Sequence, residues 1–152
     1  MVLQLNRLFL DTNVYILGAD NPESYEGKIL YWLGWGQETP ASVEVILSEA
    51  VLEQISRVAK RLRHKDWAGE IIGRIWQDLN SRYVVLEPQA LGQLKALATI
   101  PREDIGVYLT AKMGKAQCFV SANHKLIRTL VEQTGEFECL TPEEFVNRYV
   151  AP

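Results

Sequence analysis

Short apolar runs alternate along this chain with longer stretches in which apolar residues recur at helical spacing. Apolar runs of this kind predict buried strands. Five of them occur, at residues 8–10, 43–47, 83–86, 118–120 and 137–140. Because strands that alternate with amphipathic helices form a parallel sheet with both faces covered, this order predicts an α/β fold.

The intervening helices are predicted to begin at residues that favour a helix start, such as Ser48 and Pro88. Eight helices are predicted. Five have both ends assigned, at residues 21–35, 48 to about 62, 66–79, 104–113 and 123–133, and the other three begin at residues 12, 88 and 141. No linker or internal repeat separates these elements. We therefore expect one domain over residues 1–152.

Composition narrows the class of protein. Of the 152 residues, 47% are apolar, and the net charge of −3 argues against a protein that coats DNA non-specifically. No apolar run approaches the roughly 18 residues of a membrane span. The N-terminal segment lacks a signal-peptide pattern, so we expect a cytoplasmic protein without membrane contact. The two cysteines and two histidines show neither a disulfide framework nor metal-ligand spacing.

The ends of two predicted strands are candidate functional positions, because ligands of parallel sheets bind beyond the carboxyl ends of the strands. Asp11 directly follows the first strand, and the turn at residues 121–123 follows the fourth. The sequence contains no P-loop, no GxGxxG after a strand and no GxSxG. These absences argue against a P-loop nucleotide-binding protein, a dinucleotide-binding fold and an α/β-hydrolase nucleophile elbow. A haloacid-dehalogenase phosphatase needs a second acid at the position of Asn13, so the amide argues against that class of enzyme.

Four short segments in order resemble the PIN domain family (PilT N-terminus-like ribonucleases). They are Leu10-Asp11-Thr12-Asn13, Ser48 at a helix start, Glu103-Asp104 at a later helix start, and Val120-Ser121-Ala122-Asn123. The resemblance extends over residues 8–145. It implies a three-layer α/β/α fold with a five-stranded parallel sheet, and a Mg²⁺- or Mn²⁺-dependent endoribonuclease, often the toxin of a toxin–antitoxin pair. It also implies RNA, an antitoxin protein and a second copy of the chain as partners.

Two of the family's acidic positions are acids here, and two are amides. Asp11 matches the first acid and Asp104 the acid that opens the later helix, so the resemblance makes both catalytic and metal-binding residues. The alternative interpretation of each residue is an ordinary acid at a helix start, without a catalytic role. The fourth position falls on Asn123, which offers one neutral oxygen and no charge.

The second acidic position depends on which face of the third predicted helix meets the sheet. Its apolar stripe contains Val51, Leu52, Ile55, Val58, Ala59 and Leu62. From the centre of that stripe Glu53 lies roughly 160° away, toward solvent, and Gln54 about 100° away, on the flank. Counting from Ser48, the family's Glu also falls at position 54. Gln54 is therefore the expected occupant, with Glu53 or Glu49 as the alternative, and each of these acids is otherwise a surface charge.

The resemblance then leaves a weak metal site. Two carboxylates suffice for one Mg²⁺ when substrate phosphate supplies further oxygens, but they hardly suffice for a tight two-metal centre. Glu103 is a candidate to replace part of the lost charge, although its position next to Asp104 on a helix turns it about 100° away. The side chains expected beside the ligands are Thr12, Asn13 and Ser121.

Other residues have competing interpretations. A basic run can hold RNA phosphates or form a solvated helix face; its members are Arg57, Lys60, Arg61, Arg63 and Lys65. His124 is a candidate proton donor or an ordinary loop residue. The tryptophans stack on bases or, more typically at this spacing, pack in the core; they are Trp32, Trp35, Trp67 and Trp76.

Three functional hypotheses follow. The first is a metal-dependent endoribonuclease that relies on Asp11 and Asp104. The second, motivated by the amides at Gln54 and Asn123, is a catalytically inactive PIN-like module that binds RNA or protein. The third is an unrelated flavodoxin-like binding fold.

Overall fold

The computed structural model describes residues 4–97, 104–123, 125, 129 and 135–151. Five parallel strands form one sheet in the order β3-β2-β1-β4-β5. The strands are β1 (Arg7–Leu10), β2 (Glu44–Leu47), β3 (Ser81–Tyr83), β4 (Cys118–Val120) and β5 (Glu138–Leu140). The predicted parallel α/β architecture is therefore confirmed.

Helices cover both faces of this sheet. They are α1 (Thr12–Asp20), α2 (Tyr25–Leu33), α3 (Glu49–Leu62), α4 (Lys65–Asp78), α5 (Pro88–Leu97), α6 (Ile105–Met113) and α7 (Pro142–Phe145), which continues as a π-helix (Val146–Val150). The chain moves outward from β1 to β3 and then returns to β4 and β5. Because crossover connections are right-handed, this reversal places the helices before and after β3 on opposite faces, which gives the three layers.

The central strands carry the core. Leu8, Phe9 and Leu10 are fully buried, and the rings of Phe9 and Phe119 lie with their centroids 4.8 Å apart. A strand buried on both faces has no reason to alternate apolar with polar residues. This explains why residues 8–10 of β1 and the whole of β4 are uninterrupted apolar runs and why their positions could be predicted closely.

The predicted third strand is displaced. It was expected at residues 83–86, whereas the strand is Ser81–Tyr83. Ser81 and Arg82 pair with Val45 and Ile46 despite their polarity, because an edge strand has one open side. The β-branched Val85, which misled the prediction, is 74% exposed.

Helix α2 is shorter than predicted at both ends: it begins at Tyr25, after the N-cap Ser24, instead of at residue 21, and it ends at Leu33 instead of residue 35. Gly34 adopts a φ of 123°, a left-handed value that terminates the helix. The smaller shifts at β2, α4 and β5 affect one or two terminal residues. Most of the helix predicted over residues 123–133, together with Pro101, Glu103 and His124, lies outside the described residues.

The strand register assembles the carboxyl edge of the sheet. Leu10 pairs with Val120, so Asp11 and Ser121 leave their strands side by side. Ser48 leaves β2 on the other side of β1 and caps α3. Polar side chains that are far apart in sequence are thereby brought to one edge.

Candidate functional site

Asp11 is fixed at the carboxyl edge by three elements. Its backbone N–H donates to the carbonyl of Val120 at 2.9 Å. As the N-cap of α1, its carboxylate accepts a 2.8 Å hydrogen bond from the Thr12 N–H through Oδ1. Its Oδ2 accepts a 2.7 Å hydrogen bond from the hydroxyl of Ser121, which follows β4. The carboxylate thus joins β1, α1 and the turn after β4.

This carboxylate is held in a nearly dry environment. The residue is 8% exposed, and Ser121 is fully buried. Burial raises the pKa of the Asp11 carboxyl above its ordinary value, and the hydrogen bonds from Ser121 and Thr12 offset only part of that rise. A buried carboxylate with a perturbed pKa at a strand end is the kind of group that functional sites contain, although structural networks show it too.

Gln54 reaches the same edge from α3. Its side-chain carbonyl accepts a short hydrogen bond from the hydroxyl of Thr12, the residue next to Asp11. Glu53 is exposed, and Glu49 is exposed as well. The helix geometry therefore places an amide beside Asp11, as expected from the helical angle of position 54.

A small cleft opens next to Gln54, between α3 and the first turn of α6. Its volume is about 190 Å³. The lining residues are Ala50, Glu53, Gln54, Arg57, Gly106 and Val107. The floor is narrow because a Cβ at position 106 would lie only 3.2 Å from the Cβ of Ala50. Gly106 had not been singled out from sequence, although a glycine inside a helix is a signal of close packing.

A buried pair of hydroxyls joins α3 to α6 below this cleft. The Oγ of Ser48 lies 2.7 Å from the Oγ1 of Thr110, and Thr110 donates to the carbonyl of Gly106 at 2.6 Å. Ser48 also caps α3 by accepting from the N–H of Val51. Sequence reasoning found Ser48 but missed Thr110, because nothing local to Thr110 indicates a partner 62 residues away.

The remaining predicted ligands occupy different environments. Asp104 is the half-buried N-cap residue of α6, yet its side chain makes no capping hydrogen bond to that helix. Asn123 is exposed; its N–H donates to Ser121 at 3.0 Å and its Oδ1 accepts from the N–H of Lys125 at 3.2 Å. Asn13 is exposed on the first turn of α1. Among the described residues, no group of three or more acidic, histidine or cysteine side chains is placed to hold a metal ion.

The basic run divides among four environments. Arg57 lines the cleft beside Gln54, whereas Lys60 and Lys65 line a groove between α3 and α4 together with Asp66. Arg63 forms an ion pair with Asp20 and lies 4.4 Å above the ring of Trp67. Arg61 is exposed.

The tryptophans follow the core interpretation for the most part. Trp67 is buried, and Trp32 packs edge-on against Phe145 with centroids 5.7 Å apart. Trp35 is half-buried beneath Arg74. Trp76 is 48% exposed and lies beside Tyr83.

Comparison with known proteins relates this chain to others through its fold. No protein-family model and no curated protein sequence matches it. Its structure is similar to that of VapBC2 from Rickettsia felis bound to a DNA fragment from their promoter, with a TM-score of 0.59, 13% identity, and coverage of 89% of this chain and 98% of the other. It is also similar to VapBC-1 from nontypeable Haemophilus influenzae, with a TM-score of 0.58, 14% identity, and coverage of 90% and 98%. These likenesses establish a shared, PIN-like fold.

No described helix is long and apolar enough to cross a membrane.

Proposed function

We propose that this protein is a PIN-type endoribonuclease that uses a single, weakly held divalent cation. The observation that carries this proposal is the Asp11 carboxylate, buried at the carboxyl end of β1 next to the cleft of Gln54 and Arg57. Parallel sheets present their ligand sites at that edge. The substrate class, the phosphodiesters of RNA, follows from the PIN resemblance.

The oxygen ligands present suit one Mg²⁺ or Mn²⁺ and do not suit two. Asp11 and Asp104 supply carboxylates, and Gln54 and Asn123 supply neutral oxygens. Both amide oxygens already accept hydrogen bonds, from the hydroxyl of Thr12 and the N–H of Lys125. Mg²⁺ is commonly held by one or two carboxylates together with substrate phosphate and water. Such a site binds the ion weakly until the substrate arrives.

Each residue at this edge has a defined part in the proposal. A bound cation supplies positive charge near the phosphodiester that reacts. Thr12 and Ser121 hold the Asp11 carboxylate in one orientation through its two oxygens. Arg57 offers its guanidinium to a neighbouring phosphate. The other cations of the basic run, Lys60, Arg61, Arg63 and Lys65, extend the positive surface for the strand.

The similar structures bear on the biological setting of the proposed nuclease. Both similar structures are VapBC assemblies, one of them with promoter DNA. Together with the PIN resemblance, this supports a toxin that acts in the cytoplasm, has an antitoxin partner and pairs with a second copy of itself.

Cleavage of a fluorogenic single-stranded RNA by the purified chain tests this proposal. We expect Mn²⁺-dependent cleavage that EDTA abolishes and that Asp11→Asn reduces by at least about 100-fold, as expected when a group acting in the transition state is lost. Glu23→Gln, which changes an exposed carboxylate in the turn before α2, is the control and should cleave normally. Equal cleavage by Asp11→Asn would refute the proposal.

A second candidate function is a PIN-like module that binds without catalysis. Two observations favour it: hydrogen bonds occupy both oxygens of Asp11, and the described residues hold no group of three acidic ligands. Calorimetric titration with Mn²⁺ in the presence of a saturating, non-cleavable 2′-O-methyl oligouridylate, which supplies the substrate phosphates, separates the two candidates. Binding that disappears in Asp11→Ala and in Asp104→Ala supports the nuclease, and the absence of binding to the wild type supports the inactive module.

A further inference from the structure

The cleft between α3 and α6 presents hydrogen-bond donors, although the corresponding region of a PIN nuclease would be expected to present acids. The carbonyl of the Gln54 side chain is engaged by the Thr12 hydroxyl. The amide nitrogen of Gln54 makes no hydrogen bond to another described residue, so its two N–H groups are the part left for the cleft. Gln54 thus contributes a donor and no negative charge to the cleft.

Arg57 supplies the positive charge of this cleft. Within the described part of the chain, every arginine except Arg57 and Arg61 forms an ion pair with a carboxylate. Arg57 is one helical turn beyond Gln54 on α3, and both side chains line the same 190 Å³ space. An unpaired guanidinium next to an unused amide donor matches the planar, bidentate recognition that oxyanions receive in proteins.

The other walls of the cleft permit such an ion. Ala50 and Gly106 are small, so they leave the donors accessible. Gly106 and Val107 belong to the first turn of α6, whose N-terminal end favours an anion. Among the described residues that line the cleft, Glu53 is the one carboxylate, and it is exposed to solvent, which screens its charge.

From this geometry we infer that the Gln54–Arg57 cleft is a phosphate-binding subsite, occupied by a backbone phosphate of an RNA strand whose neighbouring phosphodiester lies at Asp11. The identification of RNA rests on the proposed function. Phosphate binding does not depend on it, because the donors act without a metal ion. The cleft and the Asp11 edge can therefore be tested separately.

Inorganic phosphate is the first probe. Its binding is monitored by NMR of the ¹⁵N-labelled chain in EDTA, and sodium chloride at matched ionic strength is the reference. We expect saturable shifts of the Arg57 and Gly106 signals. Arg57→Ala should weaken this binding about tenfold, in line with the loss of a charge-assisted hydrogen bond. Arg74→Ala, the same change at an arginine of α4 that does not line the cleft, should leave phosphate binding within about twofold.

Two variants test the sign of the charge effect. Glu53→Gln removes the one carboxylate of the cleft and should tighten phosphate binding about threefold. Gln54→Glu restores an acid and should weaken it by at least about tenfold. If Gln54→Glu bound phosphate as well as the wild type, the donor role of Gln54 would be wrong.

A fluorescein-labelled oligouridylate is the second probe, again in EDTA. The affinity should fall about tenfold in Arg57→Ala, and the slope of log K against log salt should become shallower by about 0.7, the value for one phosphate contact on a single strand. Phosphate binding without RNA binding would overturn the assignment to RNA, and failure of both probes would overturn the subsite. Neither result depends on cleavage, so a failure of the nuclease proposal is seen separately.

Discussion

The buried carboxylate of Asp11 allows stability and function to be separated. In Asp11→Ala, α1 loses its N-cap, which costs about 1 kcal/mol. The Ser121 hydroxyl, which is fully buried, also loses its acceptor, and this costs about 1–3 kcal/mol. We therefore expect Asp11→Ala to lower the free energy of unfolding by about 2–4 kcal/mol.

Asp11→Asn should behave differently. Asparagine keeps the oxygen that caps α1, and its amide group can donate to the Ser121 hydroxyl, while the buried negative charge disappears. We expect its stability at about pH 7 to stay within about 1 kcal/mol of the wild type or to exceed it.

The pH dependence follows from the raised pKa of Asp11. Its folded pKa lies above the reference value of 3.8, so between these two values the folded state binds more protons than the unfolded state. The stabilisation by Asp11 is complete below the unfolded pKa and is lost as pH rises through the folded pKa, at up to about 1.4 kcal/mol per pH unit. Relative to Asp11→Asn, the wild type should therefore gain stability as the pH falls toward the reference value.

Urea unfolding followed by circular dichroism, in steps from about pH 4 to about pH 8, measures these differences. The reasoning would be refuted if Asp11→Asn were as unstable as Asp11→Ala, or if the wild-type advantage grew as the pH rose. Either result would mean that the charge of Asp11 serves to hold the fold together.

Three further predictions follow from the same edge and from its supports. Thr110→Val removes the hydroxyl that pairs with the buried Ser48 hydroxyl and should lower the free energy of unfolding, measured with urea, by about 1–3 kcal/mol. An unchanged urea midpoint would show that this hydroxyl pair does not contribute to stability. The combined change Gln54→Glu and Asn123→Asp adds two carboxylates and should raise Mn²⁺ affinity at least about tenfold by calorimetry; an unchanged affinity would place the ion elsewhere. Gly34→Ala forces a side chain into a φ of 123° with its Cβ 2.5 Å from the Asp78 carbonyl, and should lower the melting temperature by several degrees, unlike the open Gly73→Ala.

Local patterns were sufficient to predict the interior of the fold. β4 and residues 8–10 of β1 are apolar because both faces are buried, and α3 shows an apolar stripe because only one of its faces is buried. The same helical geometry predicted that position 54 faces the sheet edge, where Gln54 contacts Thr12. The edge strand β3 was misplaced because one open side lets Ser81 and Arg82 pair as well as apolar residues do.

Contacts between distant elements could not be read from local patterns. Ser48 and Thr110 are joined across 62 residues, and the approach of Gly106 to Ala50 depends on how α6 crosses α3. The run of cations at the end of α3 looked like one surface, yet Arg57 lines the cleft whereas Arg63 is paired with Asp20. Tertiary packing decides which charge of a run is available to a ligand.

A crystal structure with Mn²⁺, analysed by anomalous scattering, tests the central claim most directly. We expect one anomalous peak, in contact with the carboxylates of Asp11 and Asp104. The side of the cleft that Arg57 lines should be free of metal. A pair of peaks at this edge would contradict the single weak site. At saturating Mn²⁺, the absence of any peak beside Asp11 would contradict metal-dependent chemistry at this carboxylate.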